Sequence, residues 1–402
     1  MLLTAHVPVD RLVALAAERE LPDRARGVAL FADLVGSTHL AEMLLRQLGP
    51  QRGVEELTCQ LNRVYEVLVS AVERYGGSVI SFSGDAITCW FDEIMPQPGH
   101  PAARRAVAAA VAMQHEIAAF APVRVADSEL AIAVKIAIAG GPIRRFAIGD
   151  PALGRIDVLA GATLDLLNAM ESLARRGDTL IDAETATVLA NQIAVGAWRT
   201  DETTGTRAAS LSRLLTQVQP TPWIRPLASP AADALARPWV IPAVAARLVT
   251  STGAARAPLL AEIRRTVALF LSFSGIDYDQ DEDAPVYLDA FIRRVQAIAA
   301  AYGGAMLQLM MGDKGSYLYI VFGAPTANDD AAANAVGAAR ALLGIPAQVG
   351  FVRDLRIGIA QGQMYCGAYG ATTRCTYGVI GDATNVAARL MVLAPPRRDS
   401  LR

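Results

Sequence analysis

Lysine is almost absent from this chain of 402 residues: only Lys135 and Lys314 occur, against 35 arginines. Such an imbalance fits a GC-rich coding sequence, and it makes the surroundings of each lysine informative. Charge of either sign is not in excess, since 37 − 39 = −2. No global basic field therefore exists to hold nucleic acid or an anionic membrane, and a phosphate ligand must be met locally. The four cysteines, Cys59, Cys89, Cys366 and Cys375, have neither CxxC nor disulfide-framework spacing, and the four histidines form no HExxH. Zinc and thiol chemistry are excluded on that ground. No apolar run reaches the roughly 18 residues of a membrane-spanning helix, because much of the 53% hydrophobic content is alanine. The start, MLLTAHVPVDRL, lacks a basic n-region followed by an apolar stretch, so no secretory signal is read. The expectation is a soluble, cytoplasmic protein of two or three domains, at roughly 100 to 200 residues each.

What the chain does contain is an internal repeat. VALFADLVG at 28–36 recurs as VALFLSFSG at 267–275, and RYGGSVISFSGD at 74–85 recurs as AYGGAMLQLMMGD at 301–313. The spacing of Phe31 and Phe270 is 239, of Tyr75 and Tyr302 227, and of Ile148 and Ile380 232, so two diverged copies of one domain follow each other. Each copy reads strand, helices, strand, turn, strand, helix, strand, an α+β layering of helices on a sheet. The boundaries expected are an N-terminal helical segment at 1–26, a first domain at 27–195, a Pro-punctuated linker at 196–262 and a second domain at 263–402.

The first copy carries carboxylates. Asp33 ends an apolar strand and is followed by Leu34, Val35, Gly36, Ser37 and Thr38 before a helical stretch. Backbone amides and hydroxyls then lie at a helix N-terminus beside a carboxylate, which suits a cation-bound phosphate, although a capped helix after a strand is also ordinary architecture. Asp85, in Phe82-Ser83-Gly84-Asp85, sits where a hairpin turn is expected. Neighbouring antiparallel strands could hold both carboxylates within reach of a pair of divalent cations. The second copy carries Asp313-Lys314-Gly315-Ser316, then Tyr377-Gly378-Val379-Ile380-Gly381-Asp382 leading into a helix with Asn385 and Arg389. These two are four apart and share a helix face, which is equally the pattern of a solvated surface.

FADLVGST with FSGD, and a second copy with DKGS, CTYGVIGD and TNVAARL, resembles the tandem catalytic domains of class III nucleotidyl cyclases. The likeness is greatest to the soluble, bicarbonate-responsive adenylyl cyclases and their bacterial relatives, and covers about residues 5 to 398. It implies two ferredoxin-like domains forming a pseudo-symmetric pair within one chain, around one ATP site that uses two Mg2+ or Mn2+ ions. It implies that Asp33, Asp85 and the Leu34 carbonyl hold the metals, and that Gly36, Ser37 and Thr38 meet phosphate. Lys314 would read adenine with Gly378 and Val379 beside it, Asn385 would orient the ribose, and Arg389 would stabilise the transition state. The implied reaction converts ATP to cyclic AMP and pyrophosphate.

The copies support a composite site. Ser272 stands at the position of Asp33, and counting from Ile148-Gly149-Asp150 puts Leu153 and Asp157 at the positions of Asn385 and Arg389. Each copy has lost the half the other keeps. Gly378 replaces the Asp or Thr that the family uses as a second purine contact. Ser81 replaces the lysine of bicarbonate-responsive relatives, which speaks against bicarbonate as the activator. The link from Gly141 to Ile148 is short, whereas QMYCGAYGATTRCTYG is long enough for an arm embracing the partner domain. The second copy stops at APPRRDSLR, short of a counterpart to RRGDTLID, so further C-terminal regulatory domains are expected in a longer protein. A guanylyl cyclase, or a catalytically silent nucleotide-binding module, are the alternatives.

Overall fold

The computed structural model of the chain describes residues 3–93, 101–120, 122–125, 128–250, 262–312, 315–346 and 348–395. The first part runs α1 (Val9–Ala16), β1 (Arg24–Val35), α2 (Ser37–Arg74), β2 (Ser78–Ser83), β3 (Ala86–Asp92) and α3 (Ala102–Ala118). After the small hairpin of β4 (Val123–Val125) and β5 (Ser128–Leu130) come β6 (Ala133–Ile148), β7 (Ile156–Ala160) and α4 (Ala162–Leu173). Then follow β8 (Thr179–Ile181), α5 (Ala183–Val188), β9 (Ile193–Thr200) and β10 (Arg207–Leu214). Two connecting helices, α6 (Pro230–Ala236) and α7 (Pro242–Thr250), lead to the second part. That comprises β11 (Glu262–Ser274), α8 (Ala284–Ala301), β12 (Gly304–Gly312), β13 (Gly315–Phe322), α9 (Ala331–Leu342), β14 (Arg353–Gly370), β15 (Cys375–Ile380) and α10 (Asp382–Leu393).

The two copies build the same sheet. The first has the order β2-β3-β1-β6-β8-β10-β9 with β7 also on β6, and the second β12-β13-β11-β14-β15. β1 is apolar on both faces because both are covered. Val28, Leu30 and Ala32 pack beneath α2 and α3, while Ala29 meets Leu164, Leu167 and Met170 of α4. Each large aliphatic side chain buried this way contributes about 1.5 to 3 kcal/mol. The alanines of α3, among them Ala106, Ala109 and Ala110, are fully buried, and their small size lets that helix lie close to the sheet. α2 breaks at Gly49, whose φ of 79° no helix accommodates. No helix of the described residues is long and apolar enough to cross a membrane.

Two expectations are corrected. Residues 196–214, read as linker, supply most of β9 and all of β10 to the first sheet; their alternation, as in ASLSRL, is too polar to stand out, and the prolines that suggest a linker begin only later. The first copy also has an arm of its own, because β6 continues to Ile148 and pairs with β7. The arms clasp reciprocally. From the second domain, Gly370 N donates to Asn62 Oδ1 at 2.9 Å, Thr372 N to Glu66 Oε2 at 2.8 Å, and Arg374 to the Val79 and Ile80 carbonyls at 2.9 and 2.8 Å. From the first, Gly149 N donates to Asp289 Oδ1 at 2.8 Å and Asp150 N to Gln296 Oε1 at 2.7 Å. The same patch on each domain grips its counterpart, as in an isologous dimer.

Candidate active site

Asp33 lies near the end of β1, in register with Ala86 on β3 and Lys135 on β6. Asp85 lies in the two-residue turn between β2 and β3, and the Leu34 amide donates to its carbonyl at 3.3 Å. That bond ties the turn to β1. Gly36 takes a left-handed φ of 98° and caps α2, turning the chain from strand into helix. Ser37, the first residue of α2, donates its hydroxyl to the Asp85 carboxylate. Thr38 occupies the first turn of the same helix, and the Leu34 side chain is buried in the core.

The two carboxylates feel each other. Burial first, and the Asp85 charge next, push Asp33 up to about 6, against an opposing pull from Lys135. Burial likewise raises Asp85, opposed by the Ser37 hydrogen bond. Sequence reasoning does not pick out Lys135 as a site residue, yet its ammonium lies 3.2 Å from Asp33 Oδ2 and pairs with Glu171 on α4. One signal was available: it is the only charged residue in the apolar run AVKIAIAGG. Asp33, Asp85 and Glu171 line one cavity with Ser81 and Asn168 of the first domain and Met310, Met311 and Tyr317 of the second.

The second-domain residues are distributed differently. Asn385 and Arg389 lie on the exposed side of α10, and neither they nor Gly378 and Val379 line that cavity. Val379 is buried in the second domain's core, where its carbonyl accepts from the Tyr319 hydroxyl at 3.1 Å. Lys314 lies outside the described residues.

Strand register corrects the matching of the copies. Ala160 pairs with Arg144 and Ile380 with Tyr365, and α4 and α10 both start after a glycine, Gly161 and Gly381. Asn385 and Arg389 therefore correspond to Asp165 and Ala169, not to Leu153 and Asp157. Ile148-Gly149-Asp150 is a chance likeness at the end of β6. Asp157 serves the fold instead, held together with Asp10 by Arg11 and Arg145 in a buried network. Ser272 does occupy the place of Asp33, since Asp33 pairs with Ala86 and Lys135, and Ser272 with Tyr317 and Arg356. Pairing ends at Ser83 and Ala86 in the first copy, but in the second it runs past the equivalent pair, Met310 and Tyr317, through Met311 and Ser316 to Gly312 and Gly315, so that Gly312 stands at the register position of Asp85. Among the described residues, no aspartate of the second copy falls in the register of Asp85.

The donor set fits Mg2+ or Mn2+ of the kind that leave part of their coordination to water and substrate phosphate. Asp33 and Asp85 offer hard oxygen donors held close enough to repel each other, and among the described residues no group of three or more such side chains closes a protein-only cage.

No family model matches the chain. Human adenylate cyclase type 10 is 24% identical over 426 residues, covering 98% of this chain and 25% of that protein. The mouse protein of the same name is 23% identical over the same shares. The chain thus spans about a quarter of the length of these curated relatives. Among solved structures, a class III adenylyl cyclase-like ATP-binding protein from Pseudomonas aeruginosa superposes with a TM-score of 0.56 at 13% identity, over 96% of this chain and 89% of that one. With its two clasped sheets, the chain has the class III nucleotidyl cyclase fold in tandem and is homologous to adenylate cyclase type 10 over 98% of its length.

Proposed function

We propose that this chain is an adenylyl cyclase that converts ATP to cyclic AMP and pyrophosphate at one composite site. The observation that carries this reading is the complementary loss between copies. The first keeps Asp33 and Asp85 but has Asp165 and Ala169 on α4; the second keeps Asn385 and Arg389 but has Ser272 on β11. Two separately decaying domains have no reason to retain one full set between them.

In this reading Asp33, Asp85 and the Leu34 carbonyl hold two divalent cations. When bound, these supply acidification of the 3′-hydroxyl and neutralisation of the polyphosphate. The first-turn amides of α2, after Gly36, with Ser37 and Thr38, cradle phosphate oxygens at the positive end of the helix. Lys135 is paired with Asp33 in the free protein; with Asp33 engaged as a ligand, its ammonium would be available to phosphate. Asn385 orients the ribose, Arg389 follows the charge that builds on the α-phosphate, and Lys314 offers adenine N1 a donor. The 3′-oxygen displaces pyrophosphate in line, so one P–O bond forms as another breaks.

A second reading, ATP binding without turnover, is favoured by the Lys135 ammonium already seated between Asp33 and Glu171. The full-length likeness to an ATP-binding cyclase-like protein fits it as well. Product analysis after incubation with Mn-ATP or Mg-ATP separates the two: cyclic AMP with stoichiometric pyrophosphate supports the cyclase, whereas saturable ATP binding without product supports the silent module.

A further inference from the structure

The ammonium beside Asp33 has a second holder. Lys135 is shared between Asp33, at 3.2 Å, and Glu171, the closer of the two. The three side chains are 20 to 23% exposed, so these pairs are screened less than ones on the open surface. Burial opposes the charge on Lys135, but the hydrogen bond and charge of Glu171, and after them the charge of Asp33, hold its ammonium above the ordinary lysine value. Among the described residues Glu171 has no other ion-pair partner.

Glu171 stands in the last turn of α4, where the helix dipole disfavours an acidic side chain and the helix supplies no base. Its place is fixed by its neighbours: Leu164, Leu167 and Met170 of the same helix are buried against Ala29 of β1 and Ala137 and Ala139 of β6. Register gives each member of the trio a counterpart in the second copy. Asp33 matches Ser272 and Lys135 matches Arg356, while Glu171 and Met391 lie equally far past their leading glycines, Gly161 and Gly381. There the relation is gone: Met391 is buried in the core, and the Arg356 guanidinium reaches the Val392 carbonyl at 3.5 Å. Aspartate, lysine and glutamate stand together in the half that has Asp85, and none of the three stands at its counterpart in the other.

We propose that Glu171 is a positioning residue of the cation centre: with Asp33 engaged as a ligand, Glu171 alone keeps the Lys135 ammonium at the wall of the cavity that Asp33 and Asp85 line. The proposal rests on the two-cation reading of those carboxylates. An ammonium and a divalent cation on one carboxylate repel each other, so Lys135 must give up Asp33. On its flexible four-carbon stem it would otherwise swing out to water. Glu171 lines the same cavity and already holds it, so the ammonium shifts within the site and stays where phosphate oxygens would be met.

The chain has only two lysines, which makes a direct test practical. Acylation of Lys135 by trace acetic anhydride is followed by mass spectrometry on the full chain, with Lys314 as internal standard, with and without saturating Mn2+ and in the absence of nucleotide. Only the neutral amine reacts; a carboxylate partner keeps it protonated, and a neighbouring cation does the reverse. In wild type the rate should change by less than about threefold on adding Mn2+, whereas in Glu171→Gln, and likewise in Glu171→Ala, it should rise at least about tenfold. A purely structural role would alter the rate equally with and without Mn2+. The proposal is overturned if Mn2+ changes the rate by the same factor in wild type and in a folded variant, or, with no variant needed, if wild type itself rises about tenfold. Calorimetry on wild type keeps the two readings apart: no Mn2+ binding at all would overturn the cation site, and this inference with it.

Discussion

Ser83 and Met310 hold the same position in the two copies, and they touch: the Ser83 hydroxyl donates to the Met310 sulfur at 2.8 Å. Register makes them equivalent, since Ser83 pairs with Ala86 beside Asp33, and Met310 with Tyr317 beside Ser272. A residue that meets its own counterpart marks the pseudo-two-fold axis. The axis therefore passes within two residues of Asp85, and any site built on that carboxylate is close to both domains. From this geometry and the division of residues between copies come four predictions.

Asp33→Ala should abolish cyclisation, and Ser272→Asp in that background should restore none of it. The reason is that Ser272 belongs to the half with no counterpart to Asp85. Removing one ligand of a two-cation centre should cost at least the roughly 10²- to 10³-fold loss typical of removing one electrostatic stabiliser. Initial rates of cyclic AMP formation with Mn-ATP decide it; activity of Asp33→Ala within about threefold of wild type refutes the assignment.

Arg389→Ala should lower kcat far more than it raises KM, because the charge the guanidinium follows is largest in the transition state. Arg389 has an exposed position on α10, so the substitution should leave melting behaviour unchanged. A change in KM alone would make Arg389 a ground-state contact.

Metal affinity should depend on pH through Asp33. Its carboxyl titrates at about 6, raised by burial and then by Asp85, so the folded, metal-free protein holds that proton more tightly than the unfolded chain does. Stability of the metal-free protein should accordingly gain from this group as pH falls from 7 through 6, while cations compete with the proton. Mn2+ affinity measured by calorimetry should drop about tenfold per pH unit below 6. Lys135→Met removes a neighbour that favours the charged form and should move the midpoint upward; a midpoint near 4 in wild type contradicts the account.

Arg145 should matter for folding and not for nucleotide chemistry. It holds Asp157 at 2.8 Å through Nε and again through Nη2, and Asp10 at 3.0 Å, while Arg11 adds a bond to Asp157 at 2.9 Å. Burial opposes the charge, but Arg145 and Arg11 together keep Asp157 down at about 2. Arg145→Met leaves two buried carboxylates with too little compensation and should cost about 3 to 5 kcal/mol in urea unfolding at neutral pH. Because the Asp157 value is depressed, the wild-type advantage should be full above pH 4 and shrink as pH falls toward 2. Equal stabilities at neutral pH contradict it.

What could be read from the sequence was whatever lies in contiguous strings. Asp33 before Gly36, Asp85 after Gly84, and Asn385 with Arg389 on one helix are local patterns, and so is the repeat that announces two domains. Relations across strands were not legible. Lys135 reaches Asp33 only because β6 pairs with β1 in that register. The same limit explains the mistaken counterparts at Leu153 and Asp157. A three-letter likeness is a poor anchor where an arm of different length shifts the frame. β9 and β10 escape because a half-exposed hairpin carries no continuous apolar run.

The central claim is one site assembled from two unequal domains, and product analysis of three proteins tests it most directly. Wild type, Asp33→Ala and Arg389→Ala, each with its fold verified by melting, are incubated with Mn-ATP, and cyclic AMP and pyrophosphate are quantified. Production by wild type and loss of at least about 10²-fold in both variants, although the two substitutions lie in different domains, is the predicted result. Full activity in either variant, or ATP binding by wild type with no cyclic AMP at all, contradicts it.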